Sequence, residues 1–138
     1  MKNNIMKLIL LTLFIFGGAA AAFAAVQGNG SNLLDSLSRG MWQFRAIGGG
    51  PAGTDVANLC VGDVSKLAQI QHKSFDCEQY VVRASATTVT ISYSCRGKGQ
   101  GLTTIRKESN KLIHIDSQGI RDNSPFSFTV EARNSGPC

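Results

Sequence analysis

The chain lacks the short motifs that most often disclose chemistry. It has no Cys-x-x-Cys pair, so it carries neither a thioredoxin-like redox motif nor zinc-site spacing. No Gly-x-Ser-x-Gly elbow is present, which removes the commonest serine-hydrolase signature. There are no internal repeats, and no low-complexity tract lies beyond the first 25 residues. Histidine is scarce, at two residues, His72 and His114. The basic residues that gather after Cys95 have no aromatics interleaved among them, so base stacking on a single strand of nucleic acid is not supported. No catalytic set, cofactor site or metal site stands out, and the expectation is a protein that is not an enzyme and uses no cofactor.

What the chain does have begins at its start. Lys2 and Lys7 form a positive segment, and Leu8 to Phe16 an apolar core. Gly17 to Ala25 is rich in small residues, and Ala22-Phe23-Ala24 fits the pattern a signal peptidase reads. Residues 1–25 are therefore expected to be a signal peptide cleaved after Ala24 or Ala25. The rival is an uncleaved anchor, because Leu8 to Val26 carries no charge over a length about enough to span a bilayer. The Ala/Gly-rich end of that stretch suits a cleavage region better than a helix core. No cysteine follows the apolar core, which argues against a lipid anchor. After cleavage no stable membrane insertion is expected, and the location is periplasmic or secreted.

Subtracting the leader changes the charge argument. The chain is +5; removing Lys2 and Lys7 leaves +3, and a nucleic-acid partner is not implied by charge of that size. The remaining 26–138 segment is the length of one domain with one modest core. Within it, residues 26–40 read as a polar leader and short helix, and 41–138 as a single β-domain. Cys60, Cys77, Cys95 and Cys138 all fall in this part. An even count in an exported chain favours two disulfides, with three connectivities possible. Metal ligation is the alternative, but the wide gaps between the cysteines do not suit it.

Hydrophobic periodicity supplies the elements. Ser31 or Asn32 is placed to cap a helix bearing Leu33, Leu34 and Leu37, with Gly40 to end it. Met41–Ile47 alternates around Trp42, Phe44 and Ala46, and Thr54–Val61 around Ala57, Leu59 and Val61. Between them, Gly48–Gly53 reads as a turn or loop. Asp63 caps a second short helix whose stripe is Val64, Leu67 and Ala68. Strands follow at Gln79–Ala84, Thr88–Cys95, Leu102–Arg106, Lys111–Ser117 and through Phe126–Ala132. The fold class is mainly β: an antiparallel meander of six to seven strands, forming a curved sheet or open barrel with one or two short helices.

Cys77 and Cys95 flank a hairpin centred on Ala86, which sets them face to face across neighbouring strands. That leaves Cys60 for Cys138. One conflict attends this pairing. Aligning the apolar face of the first strand, taken as Tyr80 and Val82, with Val89, Ile91 and Tyr93 shifts the register by one residue. A bulge near Glu78 reconciles the two.

Each hint of chemistry has a plainer counterpart. His114 and Asp116 lie at i, i+2 on one strand, so an imidazole–carboxylate dyad is conceivable; a partly exposed polar strand face is the better account, since a site would still need a nucleophile, a pocket and oxyanion donors. His72 with His114 and Lys73 or Lys111 would suit acid–base phosphodiester cleavage in a small secreted hydrolase. Gly97-Lys98-Gly99-Gln100-Gly101 suggests a phosphate loop, but a strand-like Leu102–Ile105 follows where such a loop needs a helix. Arg96, Lys98, Arg106, Lys107 and Lys111 form either a surface for an anionic polymer or lipid, or a solvated edge that resists aggregation. Trp42, Phe44, Phe75, Tyr80, Tyr93, Phe126 and Phe128 either line a pocket for an apolar ligand or make the core.

Taken in order, several landmarks resemble a secreted bacterial family known as domain of unknown function 3617. These are Gly40-Met41-Trp42 at the first strand, Cys60 before a polar helix, Cys77 before a strand, Ser94-Cys95-Arg96-Gly97, and the terminal Gly136-Pro137-Cys138. The chain departs from the family pattern with Val61 where a Thr is common, and with an ordinary Lys111–Asp122 segment where Gly, Met and Thr are usual. The resemblance implies export and a cystine-bonded β-domain, and implies no activity. The reading that results is a non-enzymatic binding or structural module of the cell envelope, with an envelope protein or small ligand as partner. The alternatives are the hydrolase and the apolar-ligand carrier.

Overall fold

The computed structural model describes residues 30–47 and 58–138. The expected signal peptide, the start of the polar leader, the Gly48–Gly53 loop and residues 54–57 lie outside the described residues. A short helix α1 (Gly30–Asp35) leads into β1 (Gly40–Ala46) and β2 (Asn58–Val61). A 3₁₀ helix (Val64–His72) then crosses to β3 (Glu78–Ala84), β4 (Thr88–Cys95), β5 (Gly99–Ser109), β6 (Leu112–Arg121) and β7 (Ser124–Gly136). The seven strands form one antiparallel sheet in the order β2-β1-β7-β6-β5-β4-β3. The sheet is open, with β2 and β3 at its two edges. Among the described residues, no helix is long and apolar enough to cross a membrane.

One face of the sheet is the core. Trp42 on β1, Val89 and Ile91 on β4, Ile105 on β5, Ile113 and Ile115 on β6, and Val130 and Ala132 on β7 are all buried. The period of two in the sequence places them on that face. The two helices close it over: Leu33, Leu34 and Leu37 come from α1 and its exit, and Val64, Leu67, Ala68 and Ile70 from the 3₁₀ helix. Trp42 is fully buried, and its indole N–H donates to the Ser38 carbonyl at 2.9 Å, which satisfies its one polar atom. Asp63 caps the 3₁₀ helix as expected, accepting from the Ser65 amide at 2.9 Å. Hydrogen bonds from the Ser65 side chain and amide hold its carboxyl below the ordinary range.

Both disulfides pair as the hairpin geometry predicts. Cys77 joins Cys95 with Cα atoms 4.3 Å apart, and Cys60 joins Cys138 at 5.6 Å. Glu78 pairs with Ser94 and Gln79 with Tyr93, which brings the two cysteines opposite one another.

Four details differ from the sequence expectation. The bulge in β3 falls between Val81 and Arg83, not near Glu78. Tyr80 and Val82 are exposed, and Gln79 takes the inward position instead. A polar residue is tolerated there because its amide finds partners on the helix: it donates to Gln69 Oε1 at 2.7 Å and to the Ser65 carbonyl at 3.1 Å. Helix α1 starts at Gly30 and ends at Asp35, so Gly40 does not terminate it. Gly40 opens β1 at a φ of 124°, and a side chain there would run into the Gly136 carbonyl. Finally, β5 begins at Gly99 and absorbs most of the glycine-rich segment, while β6 runs on to Arg121. Asp122 and Asn123, both at positive φ, make the tight hairpin into β7, a conformation that Asp and Asn tolerate.

The two bridges close loops of different length, with sequence separations of 78 for Cys60–Cys138 and 18 for Cys77–Cys95. Replacing Cys60 and Cys138 together by serine should cost roughly 4–5 kcal/mol in the chain-entropy account, against about 3 kcal/mol for Cys77 and Cys95. Urea unfolding of the two double variants gives the order. A larger loss from the Cys77/Cys95 pair would show that native packing, not constraint of the unfolded chain, sets the contribution.

Candidate functional site

The outer face of the sheet divides into two halves. In one half, polar side chains pair across strands. Thr90 and Thr104 hydroxyls meet at 3.0 Å, and Thr129 donates to Asp116 at 2.6 Å. In the next row, Arg106, His114, Glu131 and Arg45 follow one another from strand to strand. Glu131 accepts from Arg133 at 2.8 Å and from Arg45 at 2.9 Å; the Arg133 bond is the main reason its carboxyl is held below the ordinary range.

The other half holds an open groove of about 680 Å³. It runs across β3 to β7. One row of outward positions is Tyr80, Ser92, Leu102, Gln118 and Ser127; the next is Ser94, Gln100, Ile120 and Pro125. Gly101 and Gly119 pair with each other in its floor. Three of the larger apolar side chains of the outer face stand here: Tyr80 is 62 % exposed, Ile120 43 % and Leu102 39 %.

Directly behind this floor lies His72, 1 % exposed at the end of the 3₁₀ helix. Its Nε2 is 3.1 Å from the Lys98 carbonyl oxygen, which can only accept, so Nε2 carries the proton. Nδ1 lies at hydrogen-bond distance, 3.1 Å, from the Tyr93 hydroxyl. The rings of Tyr93, Phe126 and Phe75 surround the imidazole. Glycine is required beneath it: a Cβ on Gly99 would come within 2.9 Å of His72 Nε2, and one on Gly101 within 2.6 Å of the Tyr93 ring. The seat of the helix on the inside and the floor of the groove on the outside thus share Gly101.

The residues singled out from sequence are distributed as follows. His114 and Asp116 share the outer face as expected, but each is engaged with other neighbours. His114 Nε2 lies 3.7 Å from Glu108, and Asp116 is taken by Thr129. His72 is on the inner face, so the two imidazoles are on opposite sides of the sheet and form no joint site. The five basic residues split between the two ends of β5: Arg96 and Lys98 at the β4–β5 turn, and Arg106, Lys107 and Lys111 at the β5–β6 turn. Lys98 sits over the Phe75 ring at 5.4 Å, and Lys107 donates to Ser36 at 2.8 Å. Of the seven aromatics, Trp42, Tyr93 and Phe128 are buried, Phe44 and Phe126 pack against the core, Phe75 adjoins His72, and Tyr80 alone is on the outer face. Of the groove lining, Tyr80, Tyr93 and Phe126 are among the aromatics weighed for a pocket, and Gln100 and Gly101 belong to the glycine-rich segment; the serines, Gln118, Leu102 and Ile120 were not singled out, because Ser and Gln at alternate strand positions look like any solvated face. The available signal was Leu102 and Ile120, apolar residues at the parity of the polar set.

No protein-family model, curated protein or solved structure matches this chain.

Burial pushes the Tyr93 phenol up to about 12 from its ordinary value of 10.0, against the opposing effect of a hydrogen bond with the Ser117 hydroxyl. A phenol that holds its proton more tightly in the folded state contributes stability that is complete below pH 10 and lost as pH climbs through about 12. The wild type should therefore lose stability over that window relative to Tyr93→Phe. The difference in tyrosinate absorbance between the two proteins should rise with a midpoint near 12. A midpoint near 10 would mean that the Tyr93 hydroxyl is open to solvent.

Proposed function

We propose that this protein is exported by its N-terminal leader and acts as a non-enzymatic binding module of the cell envelope, with the outer-face groove as its binding surface. The observation that carries the reading is the groove itself: a trough of about 680 Å³ in which exposed apolar side chains stand among polar ones. A concave site of this size and mixed lining is the usual form of a small-ligand or oligomer site. Export is supported by the signal-like Met1–Ala25 segment and by the use of all four cysteines in disulfides, which persist in oxidising compartments. The likeness to a secreted family argues in the same direction. A hydrolase using His72 with His114 finds no support in their placement on opposite faces. Of the aromatics weighed for an apolar-ligand carrier, Trp42, Phe44 and Phe128 belong to the core, whereas Tyr80, Tyr93 and Phe126 line the groove.

Export with cleavage predicts that the protein recovered outside the cytoplasm begins at Ala25 or Val26; an N-terminal sequence that still starts at Met1 contradicts it. Binding through the groove predicts that the secreted protein co-sediments with envelope fragments from the cells that encode it. Leu102→Asp combined with Ile120→Asp should lower retention at least about tenfold, on the scale of two apolar contacts exchanged for charges. Arg45→Glu, at the other end of the same face, should leave it unchanged. Equal retention of all three proteins would remove the groove from the interaction.

A further inference from the structure

We infer that the groove takes an uncharged glycan chain, a specification that rests on the binding-module reading above. Three features of the lining lead there. First, Ser92, Ser94, Gln100, Gln118 and Ser127 make no side-chain hydrogen bond within the described protein. On the other half of the same face, the polar side chains of Thr90, Thr104, Asp116 and Thr129 are paired across strands. Five hydroxyl and carboxamide groups therefore converge on one trough with their donors and acceptors uncommitted. Second, none of the 13 lining residues is charged, although the chain carries 23 Lys, Arg, Asp and Glu residues. Third, Tyr80, Leu102 and Ile120 alternate with the polar set across the strands.

A pyranose ring has apolar C–H faces and a rim of hydroxyls that both donate and accept. Aromatic and aliphatic side chains suit the faces. Each carboxamide offers two N–H donors and a carbonyl acceptor, which suits neighbouring hydroxyls on the rim. A lipid tail would strip water from five polar side chains and replace none of their hydrogen bonds. A phosphate or carboxylate would find no cation in the lining. The groove crosses four interstrand spacings, about 19 Å, which calls for an oligomer instead of a single ring. An extended peptide is the remaining occupant. A strand-adding peptide would lie along the free edge of β3, whereas this trough runs perpendicular to the strands.

The test is an NMR titration of the secreted protein with four probes: chitotetraose, cellotetraose, a uronic-acid tetramer and a capped neutral heptapeptide. A neutral tetrasaccharide should shift the amides of Gln100, Leu102, Gln118 and Ile120 saturably. Tyr80→Ala should weaken it about tenfold, and Tyr80→Phe should leave it nearly intact, as expected of a stacked ring. Tyr80 is 62 % exposed, so neither change threatens the fold. Silence of both neutral sugars at about 10 mM, beyond the millimolar range of weak specific binding, overturns the glycan assignment. Binding of only the peptide or only the anionic sugar overturns it as well. Should envelope retention in those cases still depend on Leu102 and Ile120, the glycan assignment falls alone and the binding module stands; should it not, both fall.

Discussion

The fold depends on the seating of His72 against strands β4 and β5. An open sheet buries one face only if something lies across it and stays there, and here the cover is two short helices. The 3₁₀ helix is bent at Gln69 and too short to be stable on its own backbone bonds. Its far end is held by hydrogen bonds at both ring nitrogens of a buried imidazole and by three aromatic rings. That contact needs a sheet surface without side chains at Gly99 and Gly101, which explains glycines in a strand where they would otherwise weaken pairing. Tyr93 lies over Gly101 and supplies the packing that the glycine lacks.

The disulfides act at the places this arrangement leaves weakest. An edge strand is held from one side only. Cys77–Cys95 fastens the β3 edge to β4, and Cys60–Cys138 reaches from the β2 edge past β1 to the residue two beyond the end of β7. Neither bridge enters the centre of the sheet, where β5, β6 and β7 are paired on both sides. The β3 edge is further guarded by its bulge at Val82 and by exposed Arg83, devices that discourage pairing with another chain. Cross-linking thus supplies constraint at the margins, and apolar burial supplies it in the middle.

Where burial is one-sided and regular, the sequence was readable. Val89, Ile91 and Tyr93 alternate with polar residues and point inward as their period requires, and the same holds for Phe128, Val130 and Ala132 on β7. The pairing of the cysteines followed from the hairpin's centre at Ala86. Alternation failed on β3, because an edge strand leaves Tyr80 and Val82 in solvent and can turn Gln79 inward once the helix offers it partners. The glycine-rich segment misled for a related reason. Glycine breaks a strand only when nothing fills its space, and the residue that fills it, Tyr93, lies on the neighbouring strand. The basic residues looked like one cluster because five of them fall between 96 and 111, but an eleven-residue strand carries its two ends about 35 Å apart. The candidate site was the least legible part. It arises from rows across five strands, and cross-strand neighbours are set by topology, which no local pattern states.

The outer face is divided by which side chains stand opposite one another. Toward the β5–β6 turn, side chains on adjacent strands stand opposite one another and satisfy each other, as Thr90 with Thr104 and Arg45 with Glu131 do. Toward the β4–β5 turn, strand β5 passes close beneath His72 and Tyr93, and the positions that permit this are Gly99 and Gly101. On the outer face of this half, Ser92 stands between Tyr80 and Leu102, Gln118 beside Leu102, and Gln100 beside Ile120, so apolar side chains are interleaved with the polar ones along the trough. An apolar neighbour offers no hydrogen bond, and Ser92, Gln100 and Gln118 keep their polar groups toward the groove. The helix seat and the groove thus use opposite faces of the same strands, and binding of the proposed kind would leave the closure of the core undisturbed.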